Sequence, residues 1–277
     1  MRSKADFHVL IPTHSAHDTL SFAVESAVNQ TLKPSRITII GDGVTETVRA
    51  TSIELTRKHK LVEFIDRAKH GNRGEKYRDE IIRQSDADFI AYLCDDDLLM
   101  PTHLETMATY LQTCDFVHPR PTFFSPNGKI SFIQSGIENP KVRAWHSLNP
   151  PWNSISLTGT VHTRQSYLML KQGWDAGPKH LWTDLYMWVK FLAVPEIRAC
   201  TVPQTSTIKL LYSKHQRRNH LRTDLIESWS KVLSNEVALD NLIREIERLH
   251  KTFERWRRLR VVWIDIKRTV RSLSPFK

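Results

Sequence analysis

Short apolar runs alternate with segments of helical periodicity over the first 110 residues, and this alternation most restricts the fold of the chain. Four apolar runs, each stopped by polar, glycine or proline positions, lie at 7–11, 36–40, 62–65 and 89–93. Between them, apolar side chains recur every three or four residues, which predicts a helix capped by Asp18 and helices over about 45–59 and 76–84. Strands and helices in this order imply parallel pairing, so we expect an α/β fold with a mostly parallel central sheet.

The middle of the chain, residues 115–180, is less regular and predicts loops and short antiparallel strands. Helical spacing returns over 183–192 and from about 222 to 233. Three tryptophans of the irregular stretch, Trp145, Trp152 and Trp174, either stack on sugars or fill a core, and we favour the core for at least two of them.

The cysteine pattern and the apolar runs bear on the compartment. Cys94, Cys114 and Cys200 are widely spaced and form neither a CxxC nor a zinc pattern, which favours reduced thiols and a cytoplasmic protein. No run approaches 18 apolar residues, so we expect no membrane-spanning helix. The N-terminal apolar stretch is too short for a signal peptide.

The formal net charge of +10 predicts a polyanionic partner: nucleic acid, anionic lipid or a phosphorylated substrate. Residues 240–277 hold eleven Lys and Arg against five Asp and Glu, so +6 of that charge lies in the tail. The body of the chain is therefore close to an average globular domain in charge.

The most informative motif is the run Cys94, Asp95, Asp96 and Asp97 directly after the fourth apolar run. Ligands of open α/β sheets bind beyond the carboxyl ends of the strands, which is where this run is expected to lie. Adjacent carboxylates repel one another unless a cation neutralises them, and Mg²⁺ or Mn²⁺ takes such oxygen ligands. The alternative is a solvated acidic turn that caps a helix starting near Thr102.

Two further acids are candidates on weaker grounds. Asp42, between Gly41 and Gly43, either accepts hydrogen bonds from a ribose or base or caps a helix after a glycine turn. Asp184, at a helix start among bulky aromatics, is either a general base or a favourable partner of the helix dipole. The chain contains neither a GxGxxG nor a GxxxxGK[ST] motif.

Taken in order, these segments resemble glycosyltransferase family 2. The matching pieces lie at 11–14, 27–31, 39–43 and 92–101, with a looser likeness over 155–215. The resemblance implies the GT-A fold and transfer of a sugar from a nucleotide-diphosphate donor, with Mn²⁺ or Mg²⁺ as cofactor. It implies a catalytic domain over 1–215, with a nucleotide-binding half at 1–110 and an acceptor half at 111–215, and a helical, basic extension at 216–277.

For the donor, the resemblance places Pro12 and Thr13 against the nucleoside. Asp42 matches the second of two family acids, while Gly41 stands in place of the first, which typically reads the base. Arg78 falls where the family has a donor-contacting arginine.

For metal and catalysis, the resemblance makes Asp96 the direct metal ligand and Asp95 a ribose contact or second metal ligand. Cys94 stands where many members have an acid. His215 resembles a histidine that touches diphosphate or metal, and a surface histidine is the alternative. Asp184 matches the catalytic base of an inverting transfer to a glycan or lipid-linked acceptor.

The tail combines an apolar stripe over 239–256 with a basic, aromatic segment over 255–271. The stripe packs on the catalytic domain or forms a homodimer seam. The basic segment suits an anionic membrane surface, which would place a cytoplasmic enzyme peripherally at the inner face of the membrane.

Other functions stay open at this point. Nucleic-acid binding is disfavoured because the acidic run and Asp184 would repel a polyanion, and no binding motif is present. A relative that binds the donor without turnover, a retaining transferase and a pyrophosphorylase are the remaining alternatives.

Overall fold

The computed structural model describes residues 5–14, 18–126, 128–133, 136–148, 152–178, 181–211 and 221–272, with the side chains of 221 and 256–272 left undescribed. The chain forms two compact units, Met1–Lys231 and Val232–Lys277.

Strands and helices alternate along the first part of the chain, as predicted. Their bounds are β1 Phe7–Thr13, α1 Leu20–Val28, β2 Arg36–Asp42, α2 Glu46–Lys58, β3 Val62–Arg67, α3 Glu75–Gln84, β4 Phe89–Tyr92, β5 Leu98–Leu99 and α4 His103–Tyr110.

The elements that follow are mostly shorter, apart from the helices at the end. They are β6 Phe116–Pro119, β7 Thr122–Phe124, β8 Ile130–Phe132, α5 Pro140–Trp145, β9 Val161–Thr163, α6 Arg164–Leu168, α7 Thr183–Leu192, β10 Ala199–Val202, β11 Thr207–Leu210 and α8 Leu221–Ser234. Helix α9, Glu236–Ser272, belongs to the second unit.

Several element ends differ from the sequence-based expectation: β1, β2 and β3 each run two residues further, to Thr13, Asp42 and Arg67, and β4 ends one residue earlier, at Tyr92. Strand β2 continues past residue 40 to Asp42, since Gly41 and Asp42 still pair with β3. The residue that precedes α1 as its N-cap is Thr19 rather than Asp18. The Thr19 hydroxyl donates to the carbonyl oxygen of Asp95 at 2.8 Å, so a contact distant in sequence positions the start of this helix.

Among the described residues, seven strands form the main sheet in the order β10-β6-β9-β4-β1-β2-β3. All neighbours pair in parallel except β9, which runs antiparallel to both β4 and β6. The expected mostly parallel α/β sheet is therefore confirmed. A second sheet has the order β5-β11-β7-β8, and its β7–β8 pair is antiparallel, as expected for the irregular middle.

The main sheet has an apolar core on each face. Alternation along β1 points Val9 and Ile11 to one face and Leu10 to the other, because successive side chains of a strand project oppositely. The first face packs against α1, α2 and α4, and the second against α3 and α7. The sheet is thus covered on both sides, which is typical of parallel sheets.

Two expectations about side chains are wrong. Cys114 and Cys200 are joined as a disulfide with their Cα atoms 6.3 Å apart, because β6 and β10 are neighbouring strands although 86 residues separate the two cysteines. Of the three tryptophans, only Trp174 is buried. Trp145 and Trp152 pack on each other with ring centroids 5.0 Å apart and remain exposed.

Within the part of the chain that the structure describes, no helix has both the length and the apolar character needed to cross a membrane.

Gly159 precedes β9 with φ +84°, and a Cβ there would lie 2.5 Å from the Thr207 methyl and 2.8 Å from the Pro119 ring. We expect Gly159→Ala to lower the free energy of unfolding by about 3 kcal/mol or more, since overpacking adds to the backbone strain. Gly128, at φ +79° with open space around it, is the matched control. Gly128→Ala should cost only about 1–2 kcal/mol. Equal losses in denaturant unfolding would contradict this account of Gly159.

Candidate active site

The carboxyl ends of three adjacent strands, β4, β1 and β2, meet at one edge of the main sheet. Thr13 ends β1, Asp42 ends β2, and the acidic run follows β4. The Thr13 hydroxyl donates to Asp95 Oδ2 at 2.6 Å, so the loops after β1 and β4 are in direct contact. Pro12 lies in β1 one position earlier and pairs with Ile40 of β2.

Asp97 is the buried member of the acidic run, with 1% of its surface exposed. Its Oδ2 accepts from the Thr158 hydroxyl at 2.6 Å and from Lys209 Nζ at 2.9 Å, while Oδ1 accepts from the Leu210 amide at 3.2 Å. Burial acts to lower the pKa of Lys209, but Asp97, together with Cys94 and Asp184, outweighs this effect and raises that pKa. Asp97 therefore connects the loop after β4 to strand β11.

Asp96 is half-buried and contacts a different cation. The guanidinium of Arg222, near the start of α8, donates to Asp96 Oδ2. Arg222 is only 7% exposed. Burial lowers the pKa of Arg222, while nearby Asp95 and Cys94 oppose that shift.

Asp42 is 4% exposed, and both of its carboxylate oxygens accept hydrogen bonds from other residues of the chain. Its Oδ2 accepts from Lys69 Nζ and its Oδ1 from the His70 amide, both at 2.6 Å. At the preceding position, a Cβ on Gly41 would lie 2.9 Å from the Phe64 ring. Phe64 therefore fills the space that an acidic side chain at position 41 would need.

Cys94, Asp96 and Asp97 bring one ligand atom each within 4.8 Å of one another, a spacing that could hold a cation. Burial raises the pKa of the Cys94 thiol to about 11, so the thiol is protonated at neutral pH and a poor ligand for a hard cation. Asp97 already has both oxygens hydrogen-bonded. Asp96 thus fits best as the direct ligand of Mg²⁺ or Mn²⁺, which commonly takes one or two carboxylates together with substrate phosphates.

A cavity of about 540 Å³ adjoins the acidic run. Its polar lining includes residues from elements far apart in sequence, among them Arg73, Arg78, Cys94, Asn153, Asp184 and Lys209. Trp174 and Trp182 also line it. The cavity therefore brings together Arg78 and Asp184, which the sequence singled out separately.

Asp184 lies in the first turn of α7 and faces this cavity. Its Oδ1 accepts from the Leu185 amide at 2.8 Å and its Oδ2 from the Asn153 side-chain amide at 3.3 Å. Burial raises the pKa of Asp184, and these neutral donors and the charge of Lys209 only partly offset that effect. A carboxylate with a raised pKa at a cavity wall is suited to accept a proton.

Arg78 is 4% exposed, and its guanidinium carbon lies 4.3 Å from the centre of the Trp174 ring. Its Nε is buried without a hydrogen-bond partner among the described residues. Hydrogen bonds fix the Trp174 ring: its indole N–H donates to the Tyr92 hydroxyl, and that hydroxyl contacts His162 at 2.8 Å. Burial lowers the pKa of His162 to about 4, so this support is neutral.

The sequence did not predict several of these groups. Lys209, Thr158, Asn153 and Arg222 are brought to the site by tertiary contacts, and only Lys209, a cation within an apolar strand, carries a local signal. His215 lies outside the described residues. The predicted roles of Pro12, Thr13, Asp42, Arg78, Asp95, Asp96, His215 and Asp184 stay predictions.

With the fold and this edge of the sheet established, the family follows. The model of glycosyl transferase family 2 matches residues 8–167, more than half of the chain. The chain therefore belongs to glycosyl transferase family 2. Among curated sequences, it is 25% identical over 131 residues to an uncharacterized glycosyltransferase of Rickettsia bellii (strain RML369-C). That match covers 47% of this chain and 19% of the relative.

Solved structures with the same fold include those of S. aureus TarS. The crystal structure of TarS 1–349 has a TM-score of 0.59 at 13% identity and covers 74% of this chain and 60% of that one. TarS 1–349 in complex with UDP-GlcNAc has a TM-score of 0.53 at 14% identity and covers 83% and 67%. At this identity the likeness concerns the fold, and the expected GT-A fold is confirmed.

The contrast between buried and exposed acids gives a stability prediction. Asp97→Asn leaves the Lys209 ammonium without its counter-charge, so we expect the free energy of unfolding to fall by about 3 kcal/mol or more. Asp86 is the control, since its side chain is 86% exposed in a 3.5 Å ion pair with Arg36. Asp86→Asn should change stability by about 0.5 kcal/mol or less. Thermal or urea unfolding compares the two, and similar values would refute the structural role of Asp97.

Proposed function

We propose that this protein is a metal-dependent, inverting glycosyltransferase that moves a sugar from a nucleotide diphosphate to a hydroxyl of a glycan or lipid-linked acceptor. The observation that carries the proposal is the placement of Asp184, a carboxylate with a raised pKa, in the cavity that adjoins the acidic run. UDP and UDP-GlcNAc are bound in structures of TarS with the same fold, which supports a nucleotide-sugar donor here.

The donor would lie along the edge formed by the ends of β1, β2 and β4. Thr13 and Pro12 face the nucleoside side of this edge in the proposal, with Asp42 and Asp95 as hydrogen-bond acceptors for the ribose or base. Arg78, whose guanidinium carbon lies over the Trp174 ring, would supply positive charge toward the donor. These contacts do not specify which base the donor carries, because position 41 lacks the acid that typically reads it.

Asp184 performs the proton transfer in this proposal. Its carboxylate takes the proton of the acceptor hydroxyl as that oxygen forms a bond to the anomeric carbon. The bond from that carbon to the diphosphate oxygen breaks, and its electron pair leaves with the diphosphate. Attack from the side opposite the leaving group inverts the configuration.

Asp96 would hold the divalent ion, with Asp95 as a second contact, and His215 is the remaining predicted ligand. Such an ion would offset the charge that develops on the leaving diphosphate. The Asn153 amide and the Leu185 N–H orient the Asp184 carboxylate toward the acceptor.

The C-terminal helix, residues 236–272, has a proposed role in bringing the enzyme to a lipid-linked acceptor. Residues 236–272 form one continuous helix, as its apolar stripe predicts. Its basic segment at 255–271 would contact an anionic membrane surface where lipid-linked acceptors reside, and a homodimer through 239–256 is the alternative use of the stripe.

The role of Asp184 predicts a separation of binding from turnover. Asp184→Asn should reduce kcat by about 10²–10⁴-fold while donor affinity stays unchanged, because the amide keeps the shape but accepts no proton. Glu46 also lies in the first turn of a helix, and Glu46→Gln is the control that should retain full activity. Undiminished transfer by Asp184→Asn would refute the assignment, and donor binding without turnover in the wild type would indicate a non-catalytic relative.

The raised pKa of Asp184 adds a pH dependence. Its ordinary value is 3.8, and burial places the folded value above it. The base is protonated below its folded pKa, so kcat should fall on acidification at a pH above the pKa of an ordinary aspartate.

The same raised pKa affects stability, because a charged Asp184 carboxylate lowers the free energy of unfolding at pH values above its folded pKa. The stability gained by Asp184→Asn over the wild type should therefore be larger at pH 7 than at pH 4.

Asp96 is predicted to connect the metal to the donor. Asp96→Asn should weaken Mn²⁺-dependent donor binding by about tenfold or more, as removal of even supporting groups at metal sites does. Calorimetric titration with a panel of nucleotide sugars, with and without Mn²⁺, measures this. Asp86→Asn should behave as the wild type. A donor affinity of Asp96→Asn that responds to Mn²⁺ as the wild type does would contradict the metal assignment.

A further inference from the structure

Asp96 already faces a cation of the protein itself. The Arg222 guanidinium contacts Asp96 Oδ2 across 126 positions of sequence, from a helix beyond the segment that the family model matches. Arginine is charged at any accessible pH and is rarely this buried unless a carboxylate pairs with it. The ion pair between Arg222 and Asp96 therefore forms only in the folded chain, and the acidic run by itself does not predict it.

The same carboxylate is the proposed ligand of the divalent ion. A guanidinium and a divalent ion on one carboxylate repel each other strongly in a partly buried site. Lys209, in strand β11, pairs with Asp97 instead, and two further hydrogen bonds from Thr158 and the Leu210 amide hold that carboxylate in place. Arg222 is therefore the cation that must yield when a metal binds Asp96.

A diphosphate removes this conflict, because its oxygens bind a divalent ion and a guanidinium at once. We infer that Arg222 is a donor-binding residue: it neutralises Asp96 in the free protein and moves to the diphosphate when a divalent ion takes that carboxylate. Metal and nucleotide diphosphate then bind cooperatively, each raising the affinity for the other by the same factor. The inference rests on the proposed function, since it assigns a partner to the same site.

The test measures Mn²⁺ binding to the full chain by electron paramagnetic resonance, with and without UDP, and repeats the series with GDP. In the wild type, the nucleotide should tighten Mn²⁺ binding by about fivefold or more. Arg222→Gln should bind Mn²⁺ alone more tightly than the wild type by a similar factor and bind the nucleotide more weakly. Its coupling should be smaller than that of the wild type, since only the direct contact of the ion with the diphosphate remains. Arg222→Lys keeps the charge and should keep Mn²⁺ binding weak in the absence of nucleotide.

Arg198 provides the matched control, because it pairs with Asp115 at 3.0 Å on the surface, away from the cavity. Arg198→Ala should reproduce the wild-type values. Arg222→Ala is a second neutral variant if Arg222→Gln does not fold, and thermal unfolding reports the folding of each.

The outcomes separate the two proposals. Coupled Mn²⁺ and nucleotide binding in the wild type that persists unchanged in the neutral Arg222 variants overturns the role of Arg222 and leaves the proposed function standing. Weaker binding of Mn²⁺ alone in those variants overturns it as well. If the wild type binds no Mn²⁺ with either nucleotide, or if Asp96→Asn binds it equally well, the proposed metal site fails and the inference fails with it.

Discussion

The site depends on one buried carboxylate, that of Asp97. A charge excluded from water must be paired and hydrogen-bonded, and Asp97 meets this requirement through Thr158, Lys209 and the Leu210 amide. Thr158 shortly precedes β9, the antiparallel strand of the main sheet, and Lys209 and Leu210 lie in β11 of the second sheet. The hydrogen bonds of Asp97 therefore join the loop after β4 to both sheets. Asp95 and Asp96 belong to the loop that Asp97 anchors, and they contact Thr13 and Arg222 respectively.

The acids around the site differ in how their charge is compensated. Asp42, Asp96 and Asp97 each contact a cation of the chain, namely Lys69, Arg222 and Lys209. Asp184 instead accepts hydrogen bonds from neutral amides, and its pKa is raised by burial. The proposed roles follow this difference. Asp97 anchors the loop, Asp42 and Asp96 are proposed to contact donor and metal, and Asp184 keeps the basicity that the proposed proton transfer requires.

Family membership and the local chemistry concern different parts of the chain. The family model matches residues 8–167, which include the loops after β1, β2 and β4. Asp184, Lys209 and Arg222 lie beyond this segment. The likeness to TarS covers more of the chain but at 13–14% identity, so it extends the fold and not the roles of these residues. The basicity of Asp184 and the cation on Asp96 are features of this chain's own packing.

The sequence by itself determined the alternating elements, the mostly parallel sheet, helix 183–192 and the loop that carries the acidic run, because periodicity and strand ends are local properties. It also singled out Asp96 and Asp184. Only the tertiary structure decided that Cys114 meets Cys200, that Trp145 and Trp152 stay exposed, and that Lys209 and Arg222 neutralise two of the three adjacent acids. Those outcomes depend on contacts across 80 residues or more, or on how much of a side chain neighbouring elements cover, and neither leaves a periodic signal in the chain.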